Sequence, residues 1–227
     1  MSRKPSAVLW DMDGTLVDTE PYWMAAETAL VESFGGTWTH EDALQLVGNG
    51  LIDSAVILQR AGVAMAAEEI IAHLTDAVQQ LLRTEGVPFR PGARELLQDL
   101  REAGIRTGLV TMSLRRMALS VVDLIGFTAF DTVVAGDDVT NPKPHPEPYL
   151  HAAGLLGIDI ADAVVIEDSP TGLRAGLASG AVTLGVPHIV SLDDVGAHEL
   201  WPTLEGRTAT DLTDLFIRQT TLTGATR

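Results

Sequence analysis

Asp11 and Asp13 stand one residue apart in Asp11-Met12-Asp13-Gly14-Thr15, directly after the apolar run Ala7-Val8-Leu9-Trp10. A second acidic pair, Glu167-Asp168, follows Val164-Val165-Ile166. Thr111 and Ser113 follow Gly108-Leu109-Val110, and Lys143 sits among prolines in Asn141-Pro142-Lys143-Pro144-His145-Pro146. Carboxylates gathered at close range repel one another unless a cation lies between them. Oxygen ligands without neighbouring His or Cys favour Mg²⁺, which takes a few carboxylates together with phosphate and water. In a cluster neutralised in that way, one carboxylate can attack phosphorus. A second, not tied to the metal through its side chain, can protonate the leaving oxygen. Hydroxyls and an ammonium suit the oxygens of a phosphoryl group in transfer.

These residues act together only if the fold brings them to one place. After Arg90-Pro91-Gly92 the pattern alternates: helices are expected at 93–103, 114–125, 147–156 and 170–178, and strands at 106–110, 132–135, 163–166 and 181–184. That alternation predicts a Rossmann-like α/β domain, a parallel sheet with helices on both faces. Ligands of such sheets bind beyond the carboxyl ends of the strands, where every residue named above falls. The run 7–10 belongs to the same sheet. Between 21 and 87 the pattern is helical only. Trp23, Ala26, Leu30 and Phe34 share one stripe, Thr39 with Asp42 marks a helix start, and stripes at Ile52-Ala55-Val56 and Ile70-Leu74-Val78-Leu82 end at Gly62 and Gly86. The division expected is 1–17 with 89–227 as the α/β core and 18–88 as an inserted helical bundle. The tail after Gln219 is expected to fray.

Composition narrows the classes. At 227 residues and 46% hydrophobic the chain can bury a substantial core. It has no cysteine, which excludes disulfides and thiolate metal sites. A formal net charge of −16 disfavours nucleic acid and anionic lipid as partners. It also means that a site for a phosphorylated metabolite must carry its own positive charge. No apolar run approaches the roughly 20 residues that span a bilayer, and Asp11 ends the first one too early for a signal peptide. The expectation is a soluble cytoplasmic protein with a small-molecule substrate and no obligate protein partner.

The motifs together resemble the haloacid-dehalogenase-like hydrolase superfamily. Asp11-Met12-Asp13-Gly14-Thr15-Leu16-Val17-Asp18-Thr19-Glu20 is similar to its first motif, Thr111 to the second, Lys143-Pro144 to the third and Glu167-Asp168 to the fourth. The helical insertion stands where the β-phosphoglucomutase-like members and sugar-phosphate phosphatases carry a cap. The resemblance implies Asp11 as nucleophile and metal ligand, and Asp13 as general acid and base that also binds metal through its backbone carbonyl. It implies Thr111 and Lys143 on the phosphoryl group, Asp168 on the metal, and Glu167 on the metal directly or through water. Ser113 is either a further phosphate contact or the cap of the helix starting near Leu114. The dehalogenases lack a carboxylate at the position of Asp13, so its presence implies phosphoryl transfer.

Within that group a Mg²⁺-dependent sugar- or polyol-phosphate phosphatase working through an aspartyl-phosphate is expected. A phosphosugar mutase is the alternative, and a non-catalytic binding protein on the same scaffold the second. Mutases carry a cap histidine and a cap arginine where this chain has Trp23 and Leu51 of Val47-Gly48-Asn49-Gly50-Leu51. Glu20-Pro21-Tyr22-Trp23 resembles a segment of bacterial sugar-phosphate phosphatases, which makes Glu20 and Trp23 candidate substrate residues. Arg115, Arg116, His145 and His188 read as solvated surface side chains. In a mutase, Arg115 and Arg116 would be the first candidates to grip a second phosphate.

Overall fold

A computed structural model describes residues 4–47 and 49–224; Gly48 of the cap loop and both extreme termini lie outside the described residues. Strand β1 (Ala7–Trp10) is followed by four helices, α1 (Glu20–Ser33), α2 (His40–Leu44), α3 (Leu51–Arg60) and α4 (Ala67–Glu85). Then come α5 (Ala93–Glu102), β2 (Arg106–Val110), α6 (Arg115–Leu124), β3 (Thr132–Val134), α7 (Glu147–Leu156), β4 (Ala163–Glu167), α8 (Pro170–Ser179) and β5 (Val182–Gly185). The last elements are β6 (Glu199–Leu200) and α9 (Ala209–Gly224).

The strands form one parallel sheet in the order β3-β2-β1-β4-β5-β6. Side chains alternate between its faces, and both faces are covered, so β1 is apolar at every position. Val8 and Trp10 pack with Leu97, Met117, Leu212 and Phe216 of α5, α6 and α9. Ala7 and Leu9 pack with Tyr149, Ala152 and Ala175 of α7 and α8. No helix among the described residues is long and apolar enough to cross a membrane.

The four helices between β1 and α5 form the inserted helical cap. Thr39 closes a capping box: its hydroxyl accepts from the Asp42 N–H at 3.2 Å and the Asp42 carboxylate accepts from the Thr39 N–H at 2.9 Å. The two chain segments that enter and leave the cap lie side by side. The Asp18 N–H donates to Pro88 O at 2.7 Å and the Arg90 N–H to Leu16 O at 3.0 Å. Arg116 on α6 joins the cap from the core, bonding Asp76, Gln79 and Ala72 O of α4.

Two elements depart from expectation. Strand β6 has only two residues, too few for an alternation to register. Helix α9 runs to Gly224, past the Gln219 after which the sequence predicts fraying; residues 225–227 lie outside the described residues. Thr208, Thr210, Thr213, Thr220 and Thr221 give that segment weak helix propensity, and buried Leu212, Leu215 and Phe216 override it by packing on the sheet.

Candidate active site

Parallel register assembles the site. Trp10 lies opposite both Leu109 and Ile166, so the residues just beyond them, Asp11, Val110-Thr111 and Glu167-Asp168, reach the same sheet edge. The chain order reverses between β1 and β4, since β2 and β3 extend the sheet on one side of β1 and β4 to β6 on the other. Helices leave in opposite directions at such a point and open a crevice there. Asp11 stands on one lip and Glu167 and Asp168 on the other.

Lys143 enters from the loop after β3 and is buried among carboxylates. Its Nζ donates to Asp11 Oδ1 at 2.6 Å, Glu167 Oε1 at 2.7 Å and Val110 O at 2.9 Å. The Tyr149 hydroxyl donates to the same Glu167 oxygen at 2.5 Å, and the Ser169 hydroxyl lies 3.3 Å from Oε2. Asp168 accepts from the Thr15 hydroxyl at 3.1 Å. Asp11, Glu167 and Asp168 each offer an oxygen within 4.8 Å of the others.

Two glycines permit this crowding. A Cβ on Gly14, whose φ is 86°, would lie 2.1 Å from Asp168 Oδ2. One on Gly172, in the first turn of α8, would lie 1.9 Å from Glu167 Oε1.

Asp13 is placed differently. Its Oδ1 accepts from Thr19, and its Oδ2 accepts from Ser113 at 2.7 Å and, more weakly, from Thr111 at 3.4 Å. Its carboxylate therefore faces hydroxyls, away from the trio. Ser113 does not cap α6: the cap position is Leu114, and the Arg115 N–H is taken by Asp137.

The charges are uneasy. Burial, then the Glu167 charge, push the Asp11 carboxyl up to about 7 against the pull of Lys143. Burial, then Asp11 and Glu167, hold Asp168 well above the usual carboxylate range. Burial alone would lower the Lys143 ammonium, but Asp11 and Glu167 more than offset it and hold it above the ordinary lysine value. One ammonium thus faces three buried carboxyls, a hard-oxygen set whose missing positive charge a divalent cation would supply.

The candidates outside this cluster fall as follows. Glu20 opens α1, half-buried, and burial together with the Asp13 charge pushes its carboxyl up to about 7. Trp23 is partly buried and packs against the core, as does Leu51 at the start of α3. His145 is exposed, whereas His188 is not a free surface group: Arg90 contacts its Nδ1 at 2.7 Å and Asp18 its Nε2 at 3.0 Å. Arg115 and Arg116 are ion-paired, with Asp138 and Asp76 respectively. Sequence reasoning missed Tyr149 and Thr19. Tyr149 reads as one more apolar position of α7, and only its hydroxyl reveals it.

A family profile for haloacid dehalogenase-like hydrolases matches residues 8–186. The chain belongs to that family. Among these hydrolases it is 33% identical over 186 residues to pyrophosphatase PpaX of Bacillus velezensis, covering 81% of this chain and 84% of the relative. It is 32% identical over 190 residues to a phosphorylated carbohydrates phosphatase of Thermotoga maritima, covering 83% and 87%. The fold superposes on CbbY of Rhodobacter sphaeroides, crystallised with xylulose-(1,5)bisphosphate, with a TM-score of 0.81 and 25% identity over 89% of this chain and 96% of that one. The chain is accordingly a phosphatase-type hydrolase of the haloacid dehalogenase-like family.

Proposed function

We propose that the protein is a Mg²⁺-dependent phosphatase that hydrolyses a small sugar or polyol phosphate through an aspartyl-phosphate on Asp11. One observation carries this: the two acids of the first motif occupy opposite environments. Asp11 is buried against Lys143 and beside two further carboxyls, whereas Asp13 stands in a ring of hydroxyls. That division suits one acid to attack and the other to move protons.

In this reading an Asp11 oxygen forms a bond to phosphorus as the ester P–O bond breaks, and Asp13 gives its proton to the departing alcohol oxygen. Asp13 then takes a proton from the water that attacks the aspartyl-phosphate, which restores Asp11 and frees inorganic phosphate. Thr111 and Ser113 lie beside Asp13 and offer hydroxyls to the phosphoryl oxygens, and Lys143 supplies the ammonium. Asp11, Glu167 and Asp168, with the Asp13 backbone carbonyl, would hold Mg²⁺, which neutralises the cluster and polarises the phosphoryl group when bound.

Glu20 and Trp23 would line the leaving-group side of the site. Residues 18–88 would move as a cap against 1–17 and 89–227, hinging where Asp18 pairs with Pro88. The cytoplasm, where such esters are made, is the proposed setting. A mutase is less well supported, because Arg115 and Arg116 are already bound to Asp138 and to α4.

The test is a panel of sugar, polyol and aryl phosphates with Mg²⁺ and with chelator. Phosphate release that depends on Mg²⁺ is expected. Full activity in chelator would remove the metal from the account.

A further inference from the structure

An ammonium has three protons to donate, and in Lys143 all of them are engaged. Its Nζ donates to Asp11 Oδ1 at 2.6 Å, Glu167 Oε1 at 2.7 Å and Val110 O at 2.9 Å. The ring of Tyr149, its centroid 5.0 Å away, covers a further side. The side chain is buried. A phosphoryl oxygen can therefore take an N–H from Lys143 only if one of these acceptors lets go.

The acceptors are not equally replaceable. Val110 O is fixed in the sheet at the end of β2. The Asp11 carboxylate accepts from no other donor among the described residues, so losing Lys143 would leave it buried and unpaired. Glu167 is better supplied. The Tyr149 hydroxyl donates to the same Oε1 at 2.5 Å, and the Ser169 hydroxyl lies 3.3 Å from Oε2. Glu167 is the acceptor that can be given up, because a donor stays behind on the oxygen that Lys143 leaves. Mg²⁺ would serve the three carboxylates together and leaves this difference in place.

Tyr149 is suited to that one contact. It is the third residue of α7, and its ring packs with Ala7, Leu9, Val110 and Ala152, so the hydroxyl is its one polar feature. A phenol keeps its proton at neutral pH and donates to a carboxylate. The loop that carries Lys143 is fastened to the start of the same helix: the Glu147 carboxylate accepts from the Thr140 N–H at 2.7 Å and from the Asn141 N–H at 3.1 Å. Lys143 and Tyr149 thus reach Glu167 from one fastened loop and helix. A turn of the Lys143 side chain is enough to exchange partners.

We propose that Tyr149 is a positioning residue that frees Lys143 to capture phosphate. When a phosphoryl group arrives beside Asp11, Lys143 leaves Glu167 Oε1 to Tyr149, keeps Asp11 and Val110 O, and turns the released N–H to a phosphoryl oxygen. Hydrogen bonds are redistributed and no proton changes owner. This rests on the phosphatase reading above, in which Lys143 holds the phosphoryl group, and goes further by naming the bond it gives up and the group that takes its place.

The experiment compares the wild type with Tyr149→Phe, which keeps the ring and its packing and removes the hydroxyl. The probe is inorganic phosphate, titrated calorimetrically in saturating Mg²⁺, and p-nitrophenyl phosphate gives kcat and KM. Without the hydroxyl, leaving Glu167 costs Lys143 more. The Kd for phosphate should rise about tenfold and KM by a similar factor, with kcat falling less than about threefold. An unchanged Kd and KM in the folded variant would overturn the proposal. So would a fall in kcat alone, or a loss that saturating Mg²⁺ abolishes, since Tyr149 would then serve only the metal site. A second measurement needs no variant. In a crystal structure of the wild type with Mg²⁺ and inorganic phosphate, Nζ should bond a phosphate oxygen and stand more than about 3.5 Å from Glu167 Oε1, which Tyr149 still holds. Lys143 keeping Glu167, or dropping Asp11 or Val110 O instead, overturns the proposal. A wild type that captures phosphate in this way but turns over no aryl ester refutes the phosphatase reading and leaves the capture standing.

Discussion

Without metal, the protein should lose stability as the pH rises from about 4 to about 7, and Mg²⁺ should restore it. The Asp11 carboxyl is moved from 3.8 to about 7 by burial and by Glu167. A carboxyl whose pKa is higher in the folded state keeps its proton there after the unfolded chain has released it. Its contribution to stability is therefore lost as pH climbs from the unfolded value to the folded one. For Asp11 alone that separation is worth on the order of 4 kcal/mol at most. Asp168, raised by burial and by Asp11, acts with the same sign, as do Glu20 and Glu27. The Lys143 shift is also upward and so has the same sign of slope, but it acts only above the ordinary lysine value and adds no slope in this range. His198, lowered by burial, works the other way from an exposed position.

Mg²⁺ would bind the ionised carboxylates, so its stabilisation should grow with pH. For a chain of this size each kcal/mol moves the melting midpoint by roughly 2–4 °C, so a difference of up to about 10 °C is within reach. Thermal scans in chelator and in millimolar Mg²⁺ across this range would measure it, with Asp11→Asn expected to flatten the metal-free slope. A metal-free midpoint that is flat or rising, or an Mg²⁺ shift equal at both ends, would refute the reasoning.

Three further outcomes are expected. Lys143→Met leaves Asp11 and Glu167 buried without their cation, so metal-free stability should fall by about 3–5 kcal/mol by urea denaturation; a loss below about 1 kcal/mol would contradict the network. Gly172→Ala drives a methyl into the Glu167 carboxylate and should cost about 1–3 kcal/mol and raise the Mg²⁺ needed for half-maximal activity, so an unchanged Mg²⁺ titration counts against Glu167 as a ligand. Asp13→Asn should slow the phosphorylating step more for a sugar phosphate than for an aryl phosphate, because only the alkoxide needs a proton; equal losses in single turnover would argue against its acid role.

Much of this was legible before any coordinates. Strand β2 and helix α7 begin and end where apolar periodicity and Gly157 place them, and the acids after β1 and β4 meet because parallel strands carry them to one edge. What escaped was written in contacts rather than in pattern. The Ser113 hydroxyl turns to Asp13 instead of capping α6, which depends on a residue 100 positions away in the chain. Helix α9 hides behind threonines. Glu27 could have been noticed, since a carboxylate between Trp23 and Leu30 interrupts the buried stripe of α1, but its burial beside Trp38 appears only in three dimensions.

The most direct test of the central claim is to trap the intermediate. The enzyme would be mixed with a labelled sugar phosphate and Mg²⁺, quenched in acid within one turnover, digested and mapped by mass spectrometry. Phosphate bound through an acyl linkage to Asp11, and absent when Mg²⁺ is chelated, is the predicted result. Complete hydrolysis with no acyl-phosphate at any time point, or with the label on another residue, would contradict it.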